Sequence, residues 1–306
     1  MQAIAIDEFG GPDVMRLREL PDPKLGPDAV LVRVRAAGVN PVDAYIRAGY
    51  LEGAFPTHFP LIPGWDVAGV VEQVGPSVTE LSVGDEVFGY VRKDHVQNGT
   101  YAELVAAPIR TVARKPASLS MAEAAGVPLA GLTALQALRR VGVGAGETVL
   151  VHAASGGVGS FAVQIAVALG ARVIGTASEG NHDYLRELGA EPVAYGDGLV
   201  ERVREVAGKV DAAVDFAGAD AIAASTELVA DPARIASVVD AQAVLAAGGG
   251  YVFVRPDRDD LAELAQLADD GKLSVHLSTT LPLAQAPEAH RLIESKHSRG
   301  KIVLTV

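Results

Sequence analysis

Cysteine is missing from all 306 residues, which excludes disulfide staples, thiolate metal ligands and a cysteine nucleophile. An intracellular, cytoplasmic chain is expected rather than a small secreted scaffold. Long apolar runs are missing too: the richest stretches are cut by Gly, Arg or Gln, short of the roughly 20 residues that a helical membrane span requires. The opening "MQAIAIDEFGG" has no basic segment followed by an apolar one, so no signal peptide is expected and the protein should be soluble. Positive charge is scarce, with 26 Lys+Arg against 38 Asp+Glu and a formal net charge of −12. A nucleic-acid partner needs a basic face, so a small molecule is the expected ligand. Internal repeats and low-complexity tracts are also absent.

The length suits two packed domains of α/β class. Residues 1–118 alternate short apolar runs such as "AVLVRVRAAGV" and "VAGVVEQVG" with Gly, Pro and Asp turns, a β-rich pattern. "SMAEAAGVPLAGLTALQALRRV" then reads as helix, with Ser120 as N-cap and Glu123 as its capping-box partner. Strands expected at 148–152, 171–176, 191–195, 211–216 and 233–239 alternate with helices, which predicts a doubly wound parallel sheet. Helices "DLAELAQLADDG" and "APEAHRLIES" and a final strand "GKIVLTV" close the chain.

Within "VHAASGGVGSFAVQIAVALGARVIGTAS" (151–178), a strand, a glycine-rich turn, a helix and a second strand follow in order. Gly156 and Gly159 fall where the chain must turn and where helix must approach sheet, with Ala153 or Ala154 in place of a first glycine. Bare backbone at Ala154, Ser155, Gly156, Gly157, Val158 and Gly159 can turn amide groups toward a pyrophosphate. Val158, Phe161, Ala162, Ile165 and Leu169 mark the helix face expected to pack on the sheet. At the end of the second strand, where an NAD site places Asp or Glu on the ribose, stand Ala177 and Ser178. Ser178, Asn181, His182 and Tyr195 are candidate donors to a 2′-phosphate, which favours NADPH; the alternative is that Glu179 takes the ribose diol of NADH.

Several longer motifs occur in order: "AAGVNPVDAYIRAG" (36–49), "PGWDVAGVVEQVG" (63–75), "GDEVFGY" (84–90), "GTYAELV" (99–105), "AGLTALQAL" (130–138), the "ASGGVG" loop and "SRGKIVLTV". With these the chain resembles the zinc-free quinone oxidoreductase (ζ-crystallin-like) branch of the medium-chain dehydrogenase/reductase superfamily. The resemblance implies a GroES-like catalytic domain from 1–118 and 256–306 and a Rossmann domain from 119–255. In zinc-dependent relatives a Cys and a His stand where this chain has Asn40 and Trp65, so no zinc is expected. The seven His are scattered singly along the sequence.

The same resemblance places Asn40 and Tyr45 beside the nicotinamide as catalytic candidates. Asn40 would hold a carbonyl oxygen and Tyr45 would donate a hydrogen bond or proton. Asn40 before Pro41 also suits a turn, and Tyr45 also suits half-buried packing. Thr133 would contact the nicotinamide ribose or amide, His182 takes the place where several relatives carry Lys or Arg, and Phe253 joins the cofactor-binding set; Asp43 and Asp66 are read as structural. The expected activity is NADPH-dependent hydride transfer to a quinone or other activated enone. An alkenal or enoyl-thioester reductase is the alternative enzyme, the latter suggested only by the basic cluster "YVRKDH" (90–95), and a catalytically silent nucleotide-binding protein the alternative outside enzymes. "GGGYVFVRP" (248–256) is expected to form a Rossmann edge strand through which a homodimer joins near residues 251–254.

Overall fold

The computed structural model describes residues 1–218, 220–295 and 299–306; Ser298, the first residue of the terminal motif, lies outside them. The chain divides into two compact units, Met1–Leu129 with Pro256–Val306, and Ala130–Arg255. The first unit opens with the antiparallel pair β1 (Gln2–Ala5) and β2 (Arg16–Glu19), followed by β3 (Ala29–Val39), α1 (Pro41–Arg47), β4 (Thr57–Ile62) and β5 (Asp66–Val74). After them come β6 (Glu86–Tyr90), β7 (Val96–Asn98), β8 (Leu104–Pro108), β9 (Val112–Arg114) and α2 (Met121–Gly126). The β-branched residues of β3 explain its length, and it pairs antiparallel with both β5 and β8. Val30, Val32, Val34, Val67, Val71, Val87, Val105 and Val112 form its core. Each such burial contributes about 1.5–3 kcal/mol.

Ser120 caps α2 as expected, its side chain accepting from the Glu123 N–H while the Glu123 carboxylate accepts from the Ser120 N–H. The expected single helix is broken, however. Pro128 has no N–H to continue the ladder, and the Val127 N–H turns back to the Ala124 carbonyl, so a separate helix α3 (Pro128–Val141) begins there. A Cβ at Gly38 would lie 2.3 Å from the Ala125 carbonyl oxygen, so bare backbone lets α2 lie down on β3 and β5. That packing carries the first unit to Leu129, past the boundary expected at 119.

The second unit is a parallel sheet of β10 (Thr148–Val151), β11 (Arg172–Ala177), β12 (Glu191–Ala194), β13 (Ala212–Asp215), β14 (Ile235–Ser237) and β15 (Gly250–Tyr251). Between these strands run α4 (Gly157–Ala168), α5 (His182–Glu187), α6 (Leu199–Ala207), α7 (Asp220–Leu228) and α8 (Ala241–Ala246). Spatial order is β12-β11-β10-β13-β14-β15. The chain therefore moves outward from β10 on one side, then returns to build the other, and ligands bind at the carboxyl ends where such an order reverses. Helix α4 buries Phe161, Ala162 and Ile165 as expected, but Leu169 is 42% exposed because the helix has ended at Ala168. The apolar run at 248–256 does supply the sheet edge, yet only Gly250 and Tyr251 pair as strand.

Beyond Arg255 the chain rejoins the first unit with α9 (Arg258–Asp269), β16 (Leu277–Pro282), α10 (Ala286–Glu294) and β17 (Lys301–Thr305). The seven-stranded sheet then runs β16-β17-β3-β5-β6-β9, with β8 also on β3. Pairing of Ile302 with Val39 and of Gly38 with Asp66 brings the start of β17, the end of β3 and the start of β5 together at the head of α1.

Candidate active site

In the second unit the turn after β10 is held open for a ligand. Ala153 adopts φ 52°, a left-handed conformation costly for a residue with Cβ, and the Thr176 hydroxyl oxygen accepts its N–H at 3.1 Å. The Ala154 N–H is bound by the Thr176 carbonyl at 2.9 Å. A Cβ on Gly159 would sit 2.2 Å from the Ala153 carbonyl oxygen, so only glycine lets α4 begin this close to the turn. No side chain caps α4 at Gly156, which leaves the positive end of its dipole for an anion. Ser155, Gly156, Gly157 and Val158 line this half-buried turn, while Ala154 is fully buried behind it. These residues fit a dinucleotide pyrophosphate.

The other cofactor candidates of this unit divide by strand. Ala177, at the end of β11, is only 3% exposed and faces the interior, so the residue presented at this strand end is the exposed Ser178. The Ser178 hydroxyl accepts from the Asn181 amide at 3.1 Å. His182 is half-buried, and its Nε2 is enclosed with no hydrogen-bond partner among the described residues. Tyr195, just past β12, and Phe253, just past β15, are exposed. Thr133 is buried on α3. The Ser225 hydroxyl donates to the Ala221 carbonyl at 2.8 Å, so the Nε2 of His152, 2.9 Å away, must donate to Ser225. That orientation makes the pair structural and not a base with its nucleophile.

The first unit holds a buried ionic cluster at the head of α1. Asn40 precedes the helix and is 1% exposed. Its Nδ2 donates to Asp66 Oδ2 at 2.9 Å, and its Oδ1 accepts from Lys301 Nζ at 2.5 Å. The other Asp66 oxygen accepts the Leu129 N–H at 2.9 Å, at the start of α3. Asp43 Oδ2 accepts from the Asn40 N–H at 2.9 Å and from the Tyr101 hydroxyl at 3.1 Å, while its Oδ1 is buried without a partner among the described residues. Arg47 can only donate, so His290 accepts at Nδ1 (3.1 Å) and donates from Nε2 to the Tyr101 oxygen (3.3 Å). A one-way series of donors thus runs from Arg47 through His290 and Tyr101 to Asp43.

The Asn40 carboxamide oxygen and one amide hydrogen are engaged with charged partners, so the expected hold on a substrate carbonyl would fall to its second amide hydrogen. Tyr45 is different. Its ring is 46% exposed, against the edge of Tyr50 at 6.2 Å, while its neighbours Ala44 and Ile46 are buried. Trp65 lies buried between Phe55 and Tyr90, with ring centroids 5.9 Å from each. The sequence reading missed Lys301, Tyr101, His290 and Arg47. Their one visible signal was a lone lysine opening an otherwise apolar terminal strand.

Two family models match the chain: an alcohol dehydrogenase GroES-like domain over residues 26–117 and a zinc-binding dehydrogenase domain over residues 188–304. The chain is 33% identical to the NADPH-dependent alkenal/one oxidoreductase of Arabidopsis thaliana chloroplasts, over 99% of this chain and 79% of that protein. Its fold superposes on the quinone oxidoreductase of Coxiella burnetii with a TM-score of 0.89 at 34% identity, covering 100% and 99% of the two chains. Superposition on Escherichia coli quinone oxidoreductase complexed with NADPH gives 0.85 at 29% identity, with both chains fully covered at 100%. The chain belongs to the quinone oxidoreductase branch of the medium-chain dehydrogenase/reductase superfamily. In this family member no group of three or more His, Asp or Glu among the described residues is arranged to hold a metal, and no described helix is long and apolar enough to cross a membrane.

The buried cluster of this family member has a pH signature. Burial pushes Asp43 from 3.8 up to about 7, and pushes Asp66 up to about 6 against the pull of Lys301. Between those limits the folded chain keeps protons that the unfolded chain has released, so the contribution of these groups to stability falls as pH rises through the window. Burial holds His152 and His290 down at about 4 and about 3, so their contribution falls as pH drops below 6.5. The slopes oppose, and Asp43→Asn separates them because asparagine keeps an acceptor oxygen but does not titrate. Relative to the parent, this variant should gain stability between about pH 5 and pH 7, on the order of 1 kcal/mol per unit. Urea unfolding at both pH values measures the gain; identical pH dependence in the two proteins would refute the raised Asp43.

Proposed function

We propose that the chain is an NADPH-dependent reductase that transfers a hydride to a quinone or another activated α,β-unsaturated carbonyl, without zinc. The observation that carries this is the glycine-lined, uncapped start of α4 at the point where the strand order reverses, on a chain whose relatives include an NADPH-dependent alkenal/one oxidoreductase. Thr133, the Ala154–Gly159 turn, Ser178, His182, Tyr195 and Phe253 would hold NADPH, which supplies the hydride when bound. Addition of hydride to an enone or quinone leaves negative charge on the carbonyl oxygen and requires a proton to finish the product. The phenol of Tyr45 donates the hydrogen bond, and then the proton, to that oxygen. Asn40 and Trp65, an amide and an indole, supply neither the thiolate nor the imidazole with which zinc-dependent relatives hold the metal.

The enoyl-thioester alternative needs a basic pocket for a coenzyme A phosphate. In the 90–95 cluster, Lys93 is turned to the Asn98 carbonyl at 3.2 Å and the Arg92 guanidinium lies 5.8 Å from the Phe55 and Tyr90 ring centroids. Both cations are thus engaged with their own chain, which favours quinones and simple enones. The protein acts in the cytoplasm as a homodimer joined at the β15 edge, where Tyr251 is 36% and Phe253 51% exposed. Sedimentation at micromolar concentration should give twice the chain mass; a monomer would remove the dimer.

Oxidation of NADPH followed at its near-ultraviolet absorbance, across quinones, alkenals and enoyl thioesters, tests the activity. Quinones and alkenals should be reduced and enoyl thioesters should not, with rates unchanged after prolonged chelation. Activity lost on chelation and restored by zinc would overturn the metal-free mechanism. For cofactor choice, Ser178→Asp places a carboxylate at the exposed end of β11, opposite the 2′-phosphate. The kcat/KM ratio of NADPH to NADH should fall by about 10- to 100-fold in this variant. An unmodified protein that already prefers NADH would instead assign the ribose to Glu179.

A further inference from the structure

We propose that Lys301 is a positioning residue for the reduction, acting through Asn40 and α1 on the phenol of Tyr45; this rests on the role given to Tyr45 above. Helix α1 has only seven residues, too few to hold its own shape in water, so its placement is imposed at its ends. At the C-terminal end Arg47, 2% exposed, donates to the Gly10 carbonyl at 2.9 Å and pairs with Glu294 at 2.6 Å. At the N-terminal end Asp43 ties the first turn to the Asn40 N–H and the Tyr101 hydroxyl, and the Asn40 carboxamide is set between opposite charges. The ammonium of Lys301 can only donate and the carboxylate of Asp66 accepts, so together they fix which way round the Asn40 amide sits. Lys301 also reaches the Val39 carbonyl at 3.4 Å, tying the end of β3 to the same point.

The cost of this arrangement argues that geometry is its purpose. Lys301 is 5% exposed and opens a strand whose next three residues, Ile302, Val303 and Leu304, are fully buried. Taking an ammonium out of water costs several kcal/mol before its partners repay it, and a packed apolar residue would often stabilise as well or better. What an apolar residue cannot do is orient an amide. With the Asn40 amide free to rotate, the first turn of α1 keeps Asp43 but loses its tie to Lys301 and Asp66, and the Tyr45 ring, one turn further on, loses its set direction. A displacement of about 1 Å at a reacting group can cost around 100-fold in rate.

The test is a double-mutant cycle in the whole protein, with NADPH and 1,4-naphthoquinone as substrates and Lys301→Met, Tyr45→Phe and their combination as variants. Tyr45→Phe alone should lower kcat about 100-fold. Lys301→Met alone should lower kcat about 10- to 100-fold while the KM for NADPH stays level. In the Tyr45→Phe background, Lys301→Met should cost little more, because the group it positions is already gone. Equal losses in both backgrounds would overturn the positioning role while leaving Tyr45 in place. An unaffected kcat in Tyr45→Phe would overturn the role of Tyr45, and the proposal with it. Lys301→Gln, which keeps a neutral donor for Asn40, should retain most of kcat, and Lys301→Leu replaces Lys301→Met in the cycle if the latter does not fold by near-ultraviolet circular dichroism.

Discussion

A carboxylate removed from water, Asp66, is the fixed point from which the rest of the first unit's site is measured. An isolated buried carboxylate would cost several kcal/mol, so it persists only with its lone pairs satisfied. One of its oxygens holds the Asn40 amide and the other the Leu129 N–H, both at 2.9 Å, and Lys301 supplies the countercharge. The starts of α1 and α3 are therefore held by one small rigid group. Neither can shift without leaving a charge unpaired, which gives the cluster a stiffness that apolar packing alone does not provide.

The second unit reaches its binding geometry by a different means, conformational strain held in place by the sheet. Alanine at φ 52° is unfavourable by roughly 1–2 kcal/mol relative to a right-handed residue. The turn keeps it because Thr176, in the neighbouring strand β11, binds the two successive amides of Ala153 and Ala154. Gly159 then permits the close start of α4, and the uncapped helix end follows from that closeness. The sheet thus stabilises a turn that opens onto an uncapped helix start, the geometry that suits a pyrophosphate.

Much of this was legible from periodicity. Alternating apolar runs and glycine punctuation located β10 to β14 to within a few residues, because parallel strands buried on both faces read as short Val, Ile and Ala runs. The split at Val127 was legible in principle from Pro128, whose missing N–H interrupts any helix drawn through it. The charged cluster was not legible. Lys301 and Asn40 are 261 positions apart and Tyr101 and His290 are 189 apart, and no local pattern links such pairs. Asn40 was picked out by its motif, but only the fold shows that its oxygen and one amide hydrogen bridge Lys301 and Asp66. The edge strand was overestimated because an apolar run predicts burial and not pairing: strand pairing ends at Tyr251, and the Val252 N–H then reaches the β14 side at the Ser237 carbonyl.

The substitution of Asn40 and Trp65 for zinc ligands changes what kind of acceptor the site suits. A metal at this place would meet a substrate oxygen directly and polarise it as a Lewis acid. Here the nearby cation is Lys301, enclosed and committed to Asn40 and the Val39 carbonyl, so its charge organises α1 without touching a substrate. In the proposed mechanism polarisation is left to a neutral donor, the half-exposed phenol of Tyr45. A neutral donor stabilises a developing oxyanion by a few kcal/mol and brings no positive charge to the oxygen as a metal does. It suits acceptors in which conjugation already spreads the incoming charge, as in quinones and enones, so on the proposed mechanism the residues at the head of one short helix set the choice of acceptor.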